Sequence, residues 1–184
     1  METQNSLRVS LYGVIQPLTG LSDQNVIWDY PAGDSPPQPV PPYVTLGTTQ
    51  LHSIGREELN PVDGNGDQLI RQHFKWIIRV NAYGPDALGI VHNLAFQFNK
   101  DSVQSELQVA GFSFLRTSKP MRAPHLKDTA WEERAFFDLE LAFRDEDTDS
   151  PGLIESVGIT GEYPRAADDP NPIDSDIPPV IDIN

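Results

Sequence analysis

The chain has 184 residues, 38% of them hydrophobic, no cysteine and a formal charge of −14. A chain of this length can bury a core without covalent support, and the absence of cysteine excludes disulfides, thiolate nucleophiles and zinc–sulfur centres. The acidic balance argues against a protein that grips a nucleic-acid backbone. Neither a signal-like start nor an apolar stretch of membrane-spanning length is present, so we expect a soluble protein made in the cytoplasm, without membrane contact.

The first elements alternate between helical and extended patterns. Apolar side chains recur at steps of three and four over residues 6–18 and predict a helix. A short strand is predicted at 26–28, and six prolines then fill 31–42, which excludes helix and central strand there. Strand character resumes over 43–46. Little is periodic from 47 to 69, where we expect a long functional or mobile loop.

Two segments with a period of two dominate the second half. Residues 73–83 and 131–144 alternate apolar and polar side chains, which is typical of strands with one buried face. Between them the pattern predicts a helix over 86–98, a second helix capped by Asp101 and closed at Gly111, and a strand over 112–115.

The end of the chain changes composition. A last strand is predicted over 156–163, and Asp and Pro dominate from Pro164 onward. We therefore expect an α+β domain over 1–163, with an antiparallel or mixed β-sheet and helices packed on one face. Residues 164–184 are expected to form an acidic, flexible C-terminal tail.

The sequence contains no recognisable catalytic motif, and its four histidines share no ligand spacing. Residues 63–67 supply oxygen side chains at positions one, three and five of a calcium loop, but Gln68 and Phe74 occupy positions six and twelve. Glu132 and Glu133 offer a weak case for a hydrolase, because acids are ordinary on an exposed strand. We expect no enzyme, cofactor or metal; a calcium-dependent binding module stays the alternative from another class.

Charge is separated along the second half of the chain. The bases are Arg116, Lys119, Arg122 and Lys127, and the acids are Asp145, Glu146, Asp147 and Asp149. These two groups can attract each other within one chain, or join one copy to the next in a head-to-tail contact that closes into a ring. The two long strands likewise fit either one extended sheet within a monomer or a contact with a neighbouring subunit.

One family shares the order of these elements. The N-terminal helix, the strand Val26-Ile27-Trp28 with its proline-rich link into Pro42-Tyr43-Val44-Thr45-Leu46, and the segment Trp131-Glu132-Glu133-Arg134-Ala135-Phe136-Phe137-Asp138 resemble the neck and tail terminator proteins of tailed phages. The resemblance spans about residues 6–163 as a pattern of elements.

The resemblance implies a structural virion protein of the neck or tail, with an α+β fold and a hexameric ring. Such a ring caps the tail tube protein, stops its polymerisation and joins the tail to the head–tail connector protein. In contractile tails it also holds the tail sheath. DNA would pass through the lumen without specific binding, as an acidic chain favours. Another head–tail connector or tail-completion protein is the alternative within this class.

Overall fold

The computed structural model describes residues 4–29, 38–127 and 129–152. Within these residues the helices are α1 (Gln4–Thr19), α2 (Ala87–Gln97) and α3 (Asp101–Val109), with a 3-10 turn at Asp23–Asn25. The strands are β1 (Val26–Trp28), β2 (Tyr43–Leu59), β3 (Gln68–Tyr83), β4 (Phe112–Thr117), β5 (Met121–Arg122), β6 (His125–Lys127), β7 (Ala130–Glu132) and β8 (Arg134–Asp149). None of the helices in this part of the chain is long and apolar enough to cross a membrane.

The described strands form a mixed sheet and a separate hairpin. The sheet has the order β1-β2-β3-β8-β4, with β5 also paired to β8. Only β1 and β2 run parallel in it; the remaining pairs are antiparallel. Strands β6 and β7 pair with each other alone. The predicted α+β fold with a mixed sheet is confirmed.

The hydrophobic core lies between one face of the sheet and the three helices. The inward side chains of β3 and β8 alternate along each strand, as the period of two predicts. Those that lie under the helices are buried: Trp76, Ile78, Val80 and Ala82 on β3, and Ala135, Phe137, Leu139 and Leu141 on β8. Helices contribute Leu11, Ile15, Val91, Leu94 and Leu107. Each such large side chain stabilises the fold by about 1.5–3 kcal/mol, so this layer holds the sheet and its helices together.

The long loop predicted over 47–69 is wrong for most of its length, because β2 continues to Leu59. Residues from Thr49 to Leu59 are exposed on both faces, so no apolar period marks the strand. The pairing with β3 also shifts register twice, between Thr48 and Gln50 and between Ile54 and Glu58, which interrupts the alternation of side chains between the two faces. Pairing with β3, not burial, defines this half of β2. The predicted turn at Asp63–Asp67 is confirmed.

The predicted strand over 131–144 is divided at Glu133. Trp131 belongs to β7, and β8 begins at Arg134 and runs five residues beyond the predicted end. The carbonyl of Glu133 accepts a hydrogen bond from the Gly84 amide at 2.9 Å, which extends the β3–β8 ladder by one position.

Three smaller predictions also have outcomes. Strand β3 starts five residues before the predicted 73–83. Asp101 is the first residue of α3 and Lys100 occupies the cap position, so the predicted cap is displaced by one residue. The strand predicted over 156–163 and the tail over 164–184 lie outside the described residues.

Candidate interaction surfaces

Three strands continue past the core and form what we call the arm: residues 50–59 of β2, 68–73 of β3 and 144–149 of β8, with the turn 60–67. The β3–β8 ladder runs from Tyr83–Arg134 to Gln68–Asp149 through 16 pairs without a register shift. Beyond the stacked rings of Phe74 and Phe143, six pairs extend about 20 Å past the core. The arm is therefore a continuation of the core sheet, not a separate loop.

Polar contacts hold the arm together. The Arg71 guanidinium donates to Glu146 at 3.0 Å, and Arg144 lies 2.9 Å from the same carboxylate. In the turn, the Asp63 carboxylate accepts the backbone amides of Asn65 at 2.8 Å and Asp67 at 3.0 Å. The hydrogen bonds from Asp67 and Asn65 lower the pKa of Asp63. These contacts are exposed, so they shape the arm more than they stabilise it.

One face of the arm carries an apolar strip bordered by acids. One face of the sheet is covered by the helices in the core and continues into the arm. The strand register places four apolar residues of the arm on this face: Leu51, Leu59, Ile70 and Phe74. Leu59 is 60% exposed, although leucine is usually buried. The same register puts three acids of β8 on this side: Asp145, Asp147 and Asp149. We call this surface the acidic face of the arm.

The β6–β7 hairpin covers part of the opposite face of the sheet. The His125 ring packs edge-on against Tyr83 with centroids 5.8 Å apart, and its Nε2 lies 3.2 Å from a Glu132 carboxylate oxygen. Since side chains alternate along a strand, the paired residues Leu126 and Trp131 point away from the sheet. They are 58% and 74% exposed.

The predicted basic residues lie on β4, β5 and β6 and in the connection between β4 and β5. Arg116 binds Glu140 at 2.7 Å and Arg122 binds Glu133 at 2.9 Å, while Lys119 is exposed and has no ion pair among the described residues. Lys127 belongs to strand β6. Register places Met121 with Phe136 on the hairpin's side of the sheet, and Arg122 with Ala135 on the side of the helices. We call residues 116–127, which carry these bases, the basic segment.

The structure does not bring the predicted bases and acids together within one chain. Strand β5, with Arg122, pairs with Ala135 and Phe136 of β8, whereas the acids begin at Asp145. Nine or more residues of extended strand, about 30 Å, separate Arg122 from these acids, and Arg116, opposite Glu140, is five residues or about 17 Å from Asp145. The sequence left two alternatives, attraction between these charges within one chain or contact between copies. Among the described residues, the contact within one chain is not made.

Sequence reasoning found the charges of both surfaces but missed their apolar centres. In the sequence, Trp131 continues the alternation of β8 and falls among its apolar, inward-facing positions. In the structure, the chain breaks at Glu133, and Trp131 belongs to β7, where its side chain points outward. Leu59 lies in a stretch without any period. A tryptophan directly before two acids, beside a predicted basic turn, is the one local signal that indicates an exposed side chain.

The described residues give little support to catalysis or metal binding. Asp63 turns its carboxylate toward its own backbone, and this part of the chain contains no group of three metal-ligating side chains. Glu132 contacts His125 and Glu133 contacts Arg122, so the two carboxylates serve different partners. An open groove of about 440 Å³ between α1 and α3 is lined by Gly13, Val14, Ser105, Glu106, Val109 and Ala110, a set with a single ionisable group.

Comparison with known proteins gives one match. The family model described as phage neck terminator protein matches residues 5–165, which includes every helix and strand described above except the first residue of α1. No curated protein is significantly similar to the chain. The chain belongs to the phage neck terminator family and is a structural protein of the virion neck or tail.

Proposed function

We propose that this protein forms a ring of six copies that caps the tail tube, stops its polymerisation and joins the tail to the head–tail connector protein. In a contractile tail, the same ring would also hold the end of the sheath. Synthesis in the host cytoplasm would precede assembly into the virion. The observation that carries ring formation is the separation of opposite charges to two distant parts of one long ladder.

Separated charges favour association between copies. Acids and bases about 17–30 Å apart along one sheet are beyond the Debye length of physiological salt, so they hardly interact within the chain. A second copy can bring its acidic face to the basic segment of the first. Such a contact uses two different patches, and repeating it by rotation closes a ring. Charge complementarity mainly sets the partner and the rate of encounter.

The charge pattern also suits a channel through which DNA moves without being held. Many bases of the sheet are neutralised by carboxylates of their own chain: Arg71, Lys75, Arg79, Arg116, Arg122 and Arg144. A base that is already paired releases fewer counterions from DNA, and this release drives phosphate binding. We propose that DNA crosses the lumen without specific contacts.

A charge swap tests the proposed ring. Lys119→Glu and Asp147→Lys should each weaken self-association by up to about fivefold, the range of exposed ion pairs, and the double variant should regain part of the loss. Light scattering at low and high salt measures the mass. Lys100→Glu, an exposed lysine between α2 and α3, is the matched control.

Imaging of particles tests the location. Labelled protein should appear as one ring where the tail meets the head. Label at another level of the tail would favour a different connector or tail-completion protein. A monomeric protein that also forms no ring in particles would contradict the proposal.

A further inference from the structure

We infer that Asn65, at the tip of the arm, is a site of spontaneous deamidation, in which the side-chain amide loses ammonia and becomes an acid. Asn65 directly precedes Gly66, and no other asparagine of the chain precedes a glycine. The reaction uses only the chain itself and water, so it needs neither an enzyme nor a cofactor. The inference concerns the chemistry of the arm and does not depend on the proposed ring.

The reaction follows from two groups that are neighbours in the sequence. The backbone nitrogen of Gly66 attacks Cγ of Asn65, so that a new C–N bond forms while the Cγ–Nδ2 bond breaks. The proton of the Gly66 amide leaves with the Nδ2 group as ammonia, and the product is a cyclic imide. Glycine favours this attack, because it has no Cβ to hinder the approach of its nitrogen.

Water then opens the cyclic imide in one of two ways. Addition at Cγ gives an ordinary aspartate at position 65. Addition at the main-chain carbonyl gives isoaspartate, in which the backbone continues through the former side chain. In both cases the oxygen of water becomes part of the new carboxylate, and one of its protons returns to the nitrogen of Gly66.

The structure leaves the side chain of Asn65 open to this chemistry. Asn65 is exposed in the turn that joins β2 to β3. Its Nδ2 lies 3.5 Å from a carboxylate oxygen of Asp63, which is longer than an ordinary hydrogen bond, so the side chain is held weakly. Gly66 has a φ of +89°, which glycine adopts without strain.

One contact opposes the reaction and sets its pace. The buried Gly66 amide donates to the Asp63 carbonyl at 3.1 Å, so attack on Asn65 requires a local opening of the turn. Such openings cost little free energy at exposed loop tips, whereas a packed core opens only with the whole domain. The half of β2 that leads into the turn, residues 49–59, is exposed throughout. The turn therefore slows the reaction without preventing it.

The product disturbs the contacts that hold the tip. The Asp63 carboxylate accepts the backbone amides of Asn65 at 2.8 Å and Asp67 at 3.0 Å. An acid at position 65 places a second negative charge beside this carboxylate, where the natural chain has an amide. Isoaspartate also lengthens the main chain between the Asp63 and Asp67 ends of the turn, whose backbone groups are joined at 2.8 Å. Deamidation thus adds charge to an acidic arm and loosens its tip irreversibly.

Ageing of the full-length protein tests the site. The folded protein is kept at mildly basic pH, and peptides are then analysed by mass spectrometry for the mass gain of an amide converted to an acid. The matched control is Asn93 of the same molecule, because it is exposed on α2 but precedes Leu94. Asn65 should be converted at least about tenfold faster than Asn93, whose backbone is held in a helix. The rate should rise with pH, since the attacking nitrogen must lose its proton.

Two variants separate the modification from its effect. Asn65→Gln should abolish the conversion at this position, because the longer side chain forms the cyclic imide much more slowly. Asn65→Asp reproduces one product, so hydrogen exchange at the Asp67 amide should be faster than in freshly purified natural protein. The amide of Ile78, in the core part of β3, should exchange at the same rate in both proteins.

The unfolded chain completes the test. In urea, Asn65 should be converted faster than in the folded protein, because the turn no longer holds the Gly66 amide. If Asn65 reacts in urea but stays intact in the folded protein while it ages, the turn closes the site and the inference is wrong. Equal conversion of Asn65 and Asn93 in the folded protein would also overturn it.

Discussion

The two ends of the β3–β8 ladder differ in almost everything except their backbone. From Trp76 to Tyr83, β3 packs its inward side chains under the helices, and the alternation of buried and accessible residues is regular. From Gln68 to His73, none of the described helices packs on the same strand, and no side chain is fully buried. Hydrogen-bond pairing with β8 is nevertheless unbroken across both ends. Burial is thus required for the stability of this sheet, but not for the local continuation of its strands.

The core end of the ladder provides stability, and the arm provides exposed surface. A backbone hydrogen bond adds only about 1 kcal/mol net, and an isolated hairpin is marginal in water. The arm therefore depends on the core end, which fixes the strands and extends them as a template. The exposed end is free to offer its side chains to another molecule.

The largest expected effect distinguishes the two ends by stability. Leu139→Ala, at a fully buried side chain of β8, should lower the free energy of unfolding by about 2–5 kcal/mol through lost contacts and a cavity. Leu59→Ala on the arm should change it by no more than about 0.5 kcal/mol. Urea denaturation measures both. Similar losses for the two variants would show that the arm is part of the core.

A smaller effect is expected at the boundary between the ends. Glu140 is largely buried and accepts contacts from Lys75 at 2.5 Å and Arg116 at 2.7 Å. Glu140→Gln should cost about 1–2 kcal/mol, because two bases lose their charged partner. Glu146→Gln, in a more exposed ion pair on the arm, should cost less than about 1 kcal/mol.

The pH dependence of the Glu140 contribution has a definite sign. The hydrogen bond from Arg116 and the nearby Lys75 lower the pKa of Glu140 below its ordinary value of 4.5. The contribution is therefore fully present above the unfolded pKa and is lost as the pH falls through the folded pKa. The difference in unfolding free energy between natural protein and Glu140→Gln should be constant above roughly pH 5 and shrink in acid. A difference that grows in acid would contradict this.

The smallest effect is local to the tip of the arm. Asp63→Ala removes the acceptor of the Asn65 and Asp67 amides. Hydrogen exchange at these two amides should accelerate, whereas the amides of Ile78 and Val80 in the core should exchange as before. Acid should do the same to the natural protein only below the ordinary pKa of an aspartate, since the pKa of Asp63 is lowered. Faster exchange in the core would show that the tip supports the whole sheet.

The same contrast explains what sequence reasoning reached. At the core end, apolar residues must face one side, so the alternation in 73–83 and the helical spacing in 6–18 predict the elements correctly. On the arm, burial imposes no period, and the strand character of residues 50–59 stays invisible without its partner β3. The break at Glu133 separates pairing with β6 from pairing with β3, and no local pattern indicates this change of partner.

Candidate surfaces were predictable only in part, for a related reason. Formal charges are properties of residues, so the bases around Arg122 and the acids around Asp147 are readable directly. Exposure is a property of the fold. Trp131 looks like a core residue until the hairpin turns it outward, and Leu59 belongs to no pattern at all.

The unshifted β3–β8 ladder has a mechanical consequence. Its hydrogen bonds lie perpendicular to the strands, so tension applied along the arm loads all 16 residue pairs in shear at once, instead of opening them one after another. A pull on the tip thus reaches the helix-backed end through covalent strands, with no hinge between. Built this way, the extension can act as a tether that withstands axial force.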